Sequence, residues 1–172
     1  EAVAAGIRDS GGAAEFHHLD VTATANANAV VAAVEKAHGA LDVIVCNAGI
    51  AKKIPLETMT DAEWDQTHEV DLKGMMRVVR AAAPAMRARG SGAIVCLASI
   101  AGTAVGWTEH TPYTAAKGGV AGFVLGLSIE LAGDGIRVNG IAPGLIRSAQ
   151  TLDDYHSIGA AGLEAAAPGI PL

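Results

Sequence analysis

Aromatic and charged residues are scarce in this sequence. Of its 172 residues, 3% are aromatic and 17% are charged, whereas 51% are hydrophobic. A chain this apolar does not stay an unfolded coil, because burial of its side chains outweighs the loss of chain entropy. Its 12 basic and 18 acidic residues give a net charge of -6 and form no basic run, which argues against a nucleic-acid partner.

Cysteine is nearly absent as well, since only Cys46 and Cys96 occur. There is no Cys-x-x-Cys motif, and each cysteine ends an apolar run. The two are therefore interpreted as small buried side chains rather than as a redox pair. The six histidines lack the spacing of metal ligands. We therefore expect a metal-free protein. Because no signal peptide is visible, we also expect a cytoplasmic one.

The sequence has no convincing membrane span. Residues 90–108 carry no charge, but glycine, serine and threonine interrupt them. Residues 93–97 within this stretch are better interpreted as a buried strand that leads into a loop. We therefore expect no membrane partner.

Predicted strands and helices alternate along the chain. The predicted strands are 16–21, 41–46, 93–98 and 136–141. The predicted helices are 24–38, 60–89 and 112–132, the second with a capping box of Thr60 and Glu63, a break near Asp71 and a bend at Pro84. Residues 148–172 are predicted to be a loop or weak helix. This alternation predicts an α/β fold with a doubly wound parallel sheet.

Ligands of such sheets bind beyond the carboxyl ends of the strands. The residues that follow the predicted strands are therefore the first candidates for a functional site. They are Asp20, the run Asn47-Ala48-Gly49, Ser99 and the pair Pro143-Gly144.

Tyr113 and Lys117 are four residues apart at the start of a predicted helix, so both project from one face. A free tyrosine has a pKa near 10, and a nearby ammonium group lowers that pKa toward the range that acid/base catalysis requires. Ser99 can place a hydroxyl at the same edge, where it polarises a carbonyl oxygen. The set suits proton transfer coupled to hydride transfer.

In this order the motifs resemble the short-chain dehydrogenase/reductase family. The resemblance rests on Asn47-Ala48-Gly49, Ser99, Tyr113-x-x-x-Lys117 and residues 135–144, and it covers nearly the whole chain. It implies a Rossmann-like fold that uses NAD or NADP to interconvert a secondary alcohol and a ketone. The implied small-molecule substrates are 3-oxoacyl groups, hydroxysteroids, sugars or cyclic alcohols.

The resemblance also implies roles for single residues. Tyr113 would be the acid/base, Ser99 would orient the substrate oxygen, and Lys117 would bind the nicotinamide ribose and lower the tyrosine pKa. Further cofactor contacts are implied for Asp20 and Val21 at the adenine, for Asn47, Ala48 and Gly49 at the cofactor floor, and for Pro143, Gly144, Ile146 and Ser148 near the carboxamide.

The chain departs from the family pattern in three places. Asp71 stands where the family usually has an asparagine that supports a proton relay to the lysine, so we expect a relay with altered pH dependence. The spacing from Ser99 to Tyr113 is one residue longer than usual. The third departure is that the glycine-rich phosphate loop is missing, which predicts poor cofactor binding by this chain alone. The sequence is interpreted as one partial domain over residues 1–172, with two strands expected before it and one after it.

Two other functions are weighed. A serine hydrolase would need glycines around Ser99, where the sequence has Leu97 and Ala101. A non-catalytic Rossmann-like module that binds a nucleotide or a partner helix is the more serious alternative, because the phosphate loop is missing. The resemblance further implies a homo-oligomer, dimer or tetramer, formed through the helices at 71–89 and 112–132.

Overall fold

The sheet at the centre of the fold has three parallel strands. The computed structural model describes residues 1–169, and its strands are β1 (Val43–Cys46), β2 (Gly92–Leu97) and β3 (Ile136–Ile141), in the order β1-β2-β3. Cys46 pairs with Cys96 across β1 and β2, and Ile94 pairs with Val138 across β2 and β3. The predicted α/β fold with a parallel sheet is confirmed.

Eight helical segments surround or follow the strands. They are α1 (Ala2–Asp9), α2 (Thr24–His38), α3 (Asp61–His68), α4 (Gly74–Arg89), the four-residue α5 (Ile100–Thr103), α6 (Thr111–Ala132), α7 (Ala149–Leu152) and α8 (Gly159–Ala166). Within residues 1–169, two short 3-10 turns, Leu56–Thr58 and Ala167–Gly169, and one π-helical turn, Glu69–Lys73, complete the helical segments. By length and composition alone, α6 could cross a membrane, but it packs on β3 as the helix that carries Tyr113 and Lys117.

Local signals explain where the helices begin and end. Thr60 and Glu63 form the predicted capping box in front of α3. Gly90 ends α4 in the left-handed conformation, at φ 72°, which a residue with a side chain rarely adopts. The predicted break near Asp71 is a π-helical turn, Glu69–Lys73, between α3 and α4. Turns of this kind widen a helix locally and are frequent at functional sites.

The hydrophobic core lies between one face of the sheet and the helices α2, α4 and α6. It includes Ile44, Met86, Ile94, Val120 and Leu131. Cys46 and Cys96 are buried in this core and are not joined by a disulfide, as the interpretation of small buried side chains predicts. Side chains alternate along a strand, so Val43 and Val45 point to the opposite face, where they are 56% and 59% exposed.

The prediction of a strand at 16–21 is wrong. Residues 12–20 form no regular element, and Phe16 and Leu19 are exposed. A strand exists only when its backbone bonds to a neighbour, and β1 is hydrogen-bonded to β2 alone among the described residues. Helix α1 was not predicted. The weak helix expected after residue 148 is present as α7 and α8, and residues 170–172 of that prediction lie outside the described residues.

Candidate active site

Four predicted site residues meet at the carboxyl ends of β1 and β2. Ser99 lies two residues beyond β2, and Tyr113 and Lys117 lie one turn apart on α6. Asp71 comes from the π-helical turn, which brings its carboxylate to the same place. The structure therefore assembles the predicted catalytic set from three separate parts of the chain.

Lys117 is held by two contacts in the protein interior. Its Nζ donates a hydrogen bond of 2.8 Å to the carbonyl oxygen of Leu97 at the end of β2. The same Nζ lies 3.4 Å from Oδ2 of Asp71 and 5.6 Å from the centre of the Tyr113 ring. A buried ammonium group requires such partners, because water does not reach it. The position of Lys117 is thus fixed by the strand and the π-helical turn together.

Asp71 is fully buried and approaches Lys117 from the opposite side of the loop after β1. Its Oδ1 accepts a hydrogen bond of 2.8 Å from the backbone amide of Ile50. Oδ2 has no well-formed hydrogen bond, and its 3.4 Å contact with Lys117 is an ion pair at the long end of the range. Burial raises the pKa of Asp71 above its ordinary value, and the ammonium of Lys117 and the amide of Ile50 oppose that rise.

Tyr113 faces Ser99 across the mouth of a pocket. Burial raises the pKa of Tyr113, a hydrogen bond with Ser99 lowers it, and the negative charge of Asp71 raises it further. Nζ of Lys117 contacts Leu97 and Asp71 in this arrangement, and the expectation that Lys117 lowers the tyrosine pKa stays a prediction.

Gly49 allows the loop after β1 to lie directly on the ion pair. A Cβ atom at this position would lie 3.1 Å from Oδ2 of Asp71 and 3.3 Å from Nζ of Lys117. Distances this short leave little room for a side chain, although the two polar atoms could shift slightly. The glycine predicted to shape the cofactor floor therefore also lets the buried pair approach the surface of the site.

The pocket beside Tyr113 encloses about 220 Å³. The residues that line it in the described part of the chain carry no charge, and most are apolar. They come from Ser99, the loop after it, Tyr113 and the segment from Gly144 to Thr151, and they include Ile100, Val105, Trp107, Leu145 and Gln150. Pro143 holds the lining residue Ile100 in place, since its carbonyl oxygen accepts a 3.1 Å hydrogen bond from the amide of Ile100.

The other predicted cofactor residues lie in two places. Val21, Asn47 and Ala48 line a separate cavity of about 130 Å³ beside the end of β1. Asp20, Ile146 and Ser148 take part in turns: the carboxylate of Asp20 accepts from Thr22, the carbonyl oxygen of Ile146 accepts from Thr151, and Ser148 caps α7. The amide and hydroxyl of Thr22 hold the pKa of Asp20 below its ordinary value. The predicted contacts of all these residues with a cofactor stay predictions.

Some parts of the site were missed from the sequence. The carbonyl oxygen of Leu97 and the amide of Ile50 hold Lys117 and Asp71, but backbone groups leave no signature in a sequence. Gln150 and Thr151 reach the pocket from α7, a helix with no strong pattern. Within residues 1–169, no group of three histidine, cysteine, aspartate or glutamate residues is arranged to hold a metal ion.

Comparisons with known proteins agree with this geometry. Residues 1–156 match the short chain dehydrogenase family. Cis-4-hydroxycyclohexanecarboxylate dehydrogenase from Sinomonas cyclohexanicum is 42% identical over 143 residues, which are 83% of this chain and 57% of that protein. The 3-alpha-(or 20-beta)-hydroxysteroid dehydrogenase of Mycobacterium tuberculosis (strain ATCC 25618 / H37Rv) is 39% identical over 151 residues, 88% of this chain and 56% of that enzyme.

Solved structures show the same fold. A gluconate 5-dehydrogenase from Burkholderia cenocepacia, in complex with NADP and tartrate, superposes with a TM-score of 0.83 at 33% identity over 87% of this chain and 58% of that one. A metagenomic short-chain oxidoreductase in complex with NADP gives a TM-score of 0.79 at 39% identity over 84% of this chain and 65% of that one. The chain spans just over half the length of the curated relatives it matches. The residues at the strand ends, the parallel sheet and these matches together show that the chain belongs to the short-chain dehydrogenase/reductase family.

Proposed function

We propose that the protein catalyses the NAD(P)-dependent interconversion of a secondary alcohol and a ketone. The observation that carries this proposal is the placement of Ser99 and Tyr113 on the wall of one pocket, with the ammonium of Lys117 5.6 Å from the tyrosine ring. A phenol and a hydroxyl that both face a mostly apolar pocket can bind a single carbonyl or alcohol oxygen between them.

In ketone reduction, Tyr113 gives its phenolic proton to the substrate oxygen while the carbonyl carbon accepts a hydride. In alcohol oxidation, the tyrosinate takes that proton back. The hydroxyl of Ser99 donates a hydrogen bond to the same oxygen and keeps it within reach of Tyr113. A bound nicotinamide dinucleotide would supply or accept the hydride, which no side chain of the protein can do.

Asp71 and Lys117 act on this reaction through the tyrosine. Lys117 Nζ contacts Leu97 and Asp71 and lies 5.6 Å from the centre of the Tyr113 ring, so its charge connects the tyrosine with the interior of the site. Asp71 supplies the acceptor oxygens that asparagine would provide, together with a charge that asparagine lacks. We therefore assign Asp71 to the relay and expect it to move the pH dependence of the reaction.

The residues present fit the nicotinamide end of the cofactor. Gly49 has no side chain, so the space that a Cβ would fill next to the buried amine of Lys117 is open. Lys117 and Tyr113 would hold the ribose, and Asn47 and Ala48 would form the floor beside it. Pro143, Gly144, Ile146 and Ser148 would meet the carboxamide, and Asp20 with Val21 would meet the adenine. The sequence has no glycine-rich loop for the pyrophosphate, so this chain does not fit that part of the cofactor.

The pocket favours a compact alicyclic substrate over a sugar-like one. Its lining in the described residues is uncharged, and Trp107 presents an apolar ring that meets Tyr113 edge to face, with 6.2 Å between the ring centres. Apolar pockets bind apolar rings through burial, and a few polar groups fix the orientation. The dehydrogenases named for hydroxycyclohexanecarboxylates and hydroxysteroids among the relatives also act on alicyclic alcohols.

A coenzyme-linked screen tests the proposed function. The complete gene product is incubated with NADH or NADPH and with cyclic, steroid, sugar and 3-oxoacyl ketones, and absorbance of the reduced coenzyme is followed. We expect turnover with cyclic ketones, higher than with sugars. Coenzyme binding without turnover of any ketone would instead favour the non-catalytic Rossmann-like module.

We also propose that the protein forms a homo-oligomer through α4 and α6. Leu125 and Ile129 on α6 are strongly exposed, and a cleft between the two helices is lined by Ala83, Phe123 and Leu127. Exposed apolar side chains of this size are typical of a surface that another chain covers.

A further inference from the structure

His110 lies at the start of α6 and is completely buried, at 0% exposure. Its two ring nitrogens each face a backbone carbonyl oxygen. Nδ1 lies 2.7 Å from the oxygen of Thr108, and Nε2 lies 3.1 Å from the oxygen of His156, 46 residues further along the chain. Both distances are those of well-formed hydrogen bonds.

A carbonyl oxygen can only accept a hydrogen bond, so each of these contacts needs a proton on the histidine. A neutral imidazole carries one N–H group, whereas an imidazolium carries two. A neutral ring therefore donates to only one of the two carbonyl oxygens at a time. The ring also stacks on Trp107, with 4.3 Å between the centres and 14° between the planes, which fixes its orientation.

The two carbonyl groups belong to different parts of the site. Thr108 belongs to the loop that carries Trp107, whereas His156 belongs to the segment between α7 and α8. Helix α7 contributes Gln150 and Thr151 to the wall of the substrate pocket. His110 is three residues before Tyr113, and the centres of the two rings are 6.4 Å apart.

We propose that His110 is a positioning residue for the reaction, which rests on the proposed function of this site. Its ring ties the segment after α7 to the start of the helix that carries Tyr113, and so holds the pocket wall opposite the tyrosine. The segment is therefore held where it forms the pocket wall, and loss of the tie weakens substrate binding.

Other ionisable groups lie near the hydrogen bond between His110 and His156, and their effects have to be distinguished from its own. Lys53 Nζ donates to the carbonyl oxygen of Asp154 at 2.6 Å, a second link to the segment that does not involve His110. His156 Nδ1 pairs with the carboxylate of Asp153 at 3.0 Å within the segment. On the side of α6, the neighbours are Glu109 and Tyr113.

Two substitutions separate the two contacts of the ring. In His110→Gln, the side-chain amide can reach the position of Nε2, so the link to His156 is kept without a titratable group. In His110→Asn, the amide reaches only the position of Nδ1, so the link to His156 is lost. His156→Gln is the matched control, because it removes the other titratable ring and leaves the carbonyl oxygen of residue 156 in place.

Amide hydrogen exchange of residues 153–158 in the complete gene product tests the proposal directly. His110→Asn should exchange these amides about tenfold faster than the wild type, the effect of one lost hydrogen bond. His110→Gln should keep wild-type protection, and so should His156→Gln. Wild-type protection in His110→Asn, or equal losses in His110→Gln and His110→Asn, would overturn the proposal.

Two further measurements keep the proposal testable if a variant fails to fold. In the wild type, the nitrogen-15 chemical shift of His110 Nε2 should be that of an N–H nitrogen, and an Nε2 without a proton would overturn the tie to His156. With an active enzyme, His110→Asn should raise KM about tenfold with little change in kcat. If no ketone is turned over, the proposed function fails, yet the exchange and chemical-shift experiments still decide whether the tie exists.

Discussion

The carboxylate of Asp71 and the ammonium of Lys117 form an ion pair inside the protein, 3.4 Å apart, with side chains that are 0% and 5% exposed. The pair is anchored at both ends, by the amide of Ile50 on one side and the carbonyl oxygen of Leu97 on the other. It joins the π-helical turn to α6 directly beneath the loop at Gly49. Both the stability of this region and the ionisation of Tyr113 therefore depend on the pair.

Removal of the ammonium group should strongly destabilise the protein. In Lys117→Met, the carboxylate of Asp71 stays buried without its partner, which costs about 3–5 kcal/mol in the free energy of unfolding. The double variant Lys117→Met with Asp71→Asn should recover most of that loss, because no buried charge then remains. Urea unfolding of the three proteins measures this, and an equal loss in the single and the double variant would contradict the ion-pair account.

Replacement of Asp71 by asparagine should move the pH profile of alcohol oxidation to lower pH. The negative charge of Asp71 contributes to the raised pKa of Tyr113, so its removal makes the tyrosinate easier to form. The rise of kcat/KM with pH should then begin at lower pH than in the wild type. Asp134→Asn is the control, because Asp134 pairs with Arg87 on the surface at 2.8 Å. A shift in both variants, or in neither, would contradict the assignment.

Asp71 should also make the folded protein less stable as pH rises. Its pKa is raised in the folded state by burial, so above about pH 4 the folded chain holds a proton that the unfolded chain has released. The free energy of unfolding should therefore fall with increasing pH through the range between the unfolded and the folded pKa of this group. Unfolding curves at several pH values should show this fall in the wild type and a smaller one in Asp71→Asn.

A methyl group at Gly49 should impair the site more than the fold. In Gly49→Ala, the new Cβ would press on Oδ2 of Asp71 and Nζ of Lys117, at 3.1 and 3.3 Å. We expect kcat/KM to fall about tenfold or more, which corresponds to about 1.4 kcal/mol in the transition state. Gly122→Ala is the matched control, since nothing lies within 4 Å of a Cβ there and alanine favours a helix. Similar losses in both variants would contradict the steric account.

The sequence predicts those elements whose signals are local. The bounds of α2 and β3, Thr24–His38 and Ile136–Ile141, agree with the predictions. An amphipathic repeat with Gly39 at its end determines the first, and a short segment of alternating apolar and polar residues determines the second. The strand expected at 16–21 failed for the opposite reason. An alternating pattern alone does not make a strand, because the backbone also needs a neighbouring strand with which to pair.

The composition of the site was more predictable than its contacts. Ser99, Tyr113 and Lys117 follow from their order relative to the strands, whereas the hydrogen bond from Lys117 to the Leu97 carbonyl oxygen depends on how α6 packs on the sheet. The rise that burial causes in the pKa of Tyr113 likewise depends on that packing. The tie from His110 to His156 spans 46 residues and ends on a backbone atom, so no residue type marks it in the sequence.

The catalytic role of Tyr113 is tested most directly by removal of its hydroxyl group alone. The chain has two tyrosines, and Tyr155 is 68% exposed and outside the pocket lining, so Tyr155→Phe is the matched control for Tyr113→Phe. The measurement is kcat for NAD(P)H-linked ketone reduction by the complete gene product, alongside the Kd of the coenzyme. The account predicts that Tyr113→Phe lowers kcat by about 10²–10⁴-fold with the Kd nearly unchanged, while Tyr155→Phe keeps wild-type turnover. Near-normal turnover in Tyr113→Phe would contradict it.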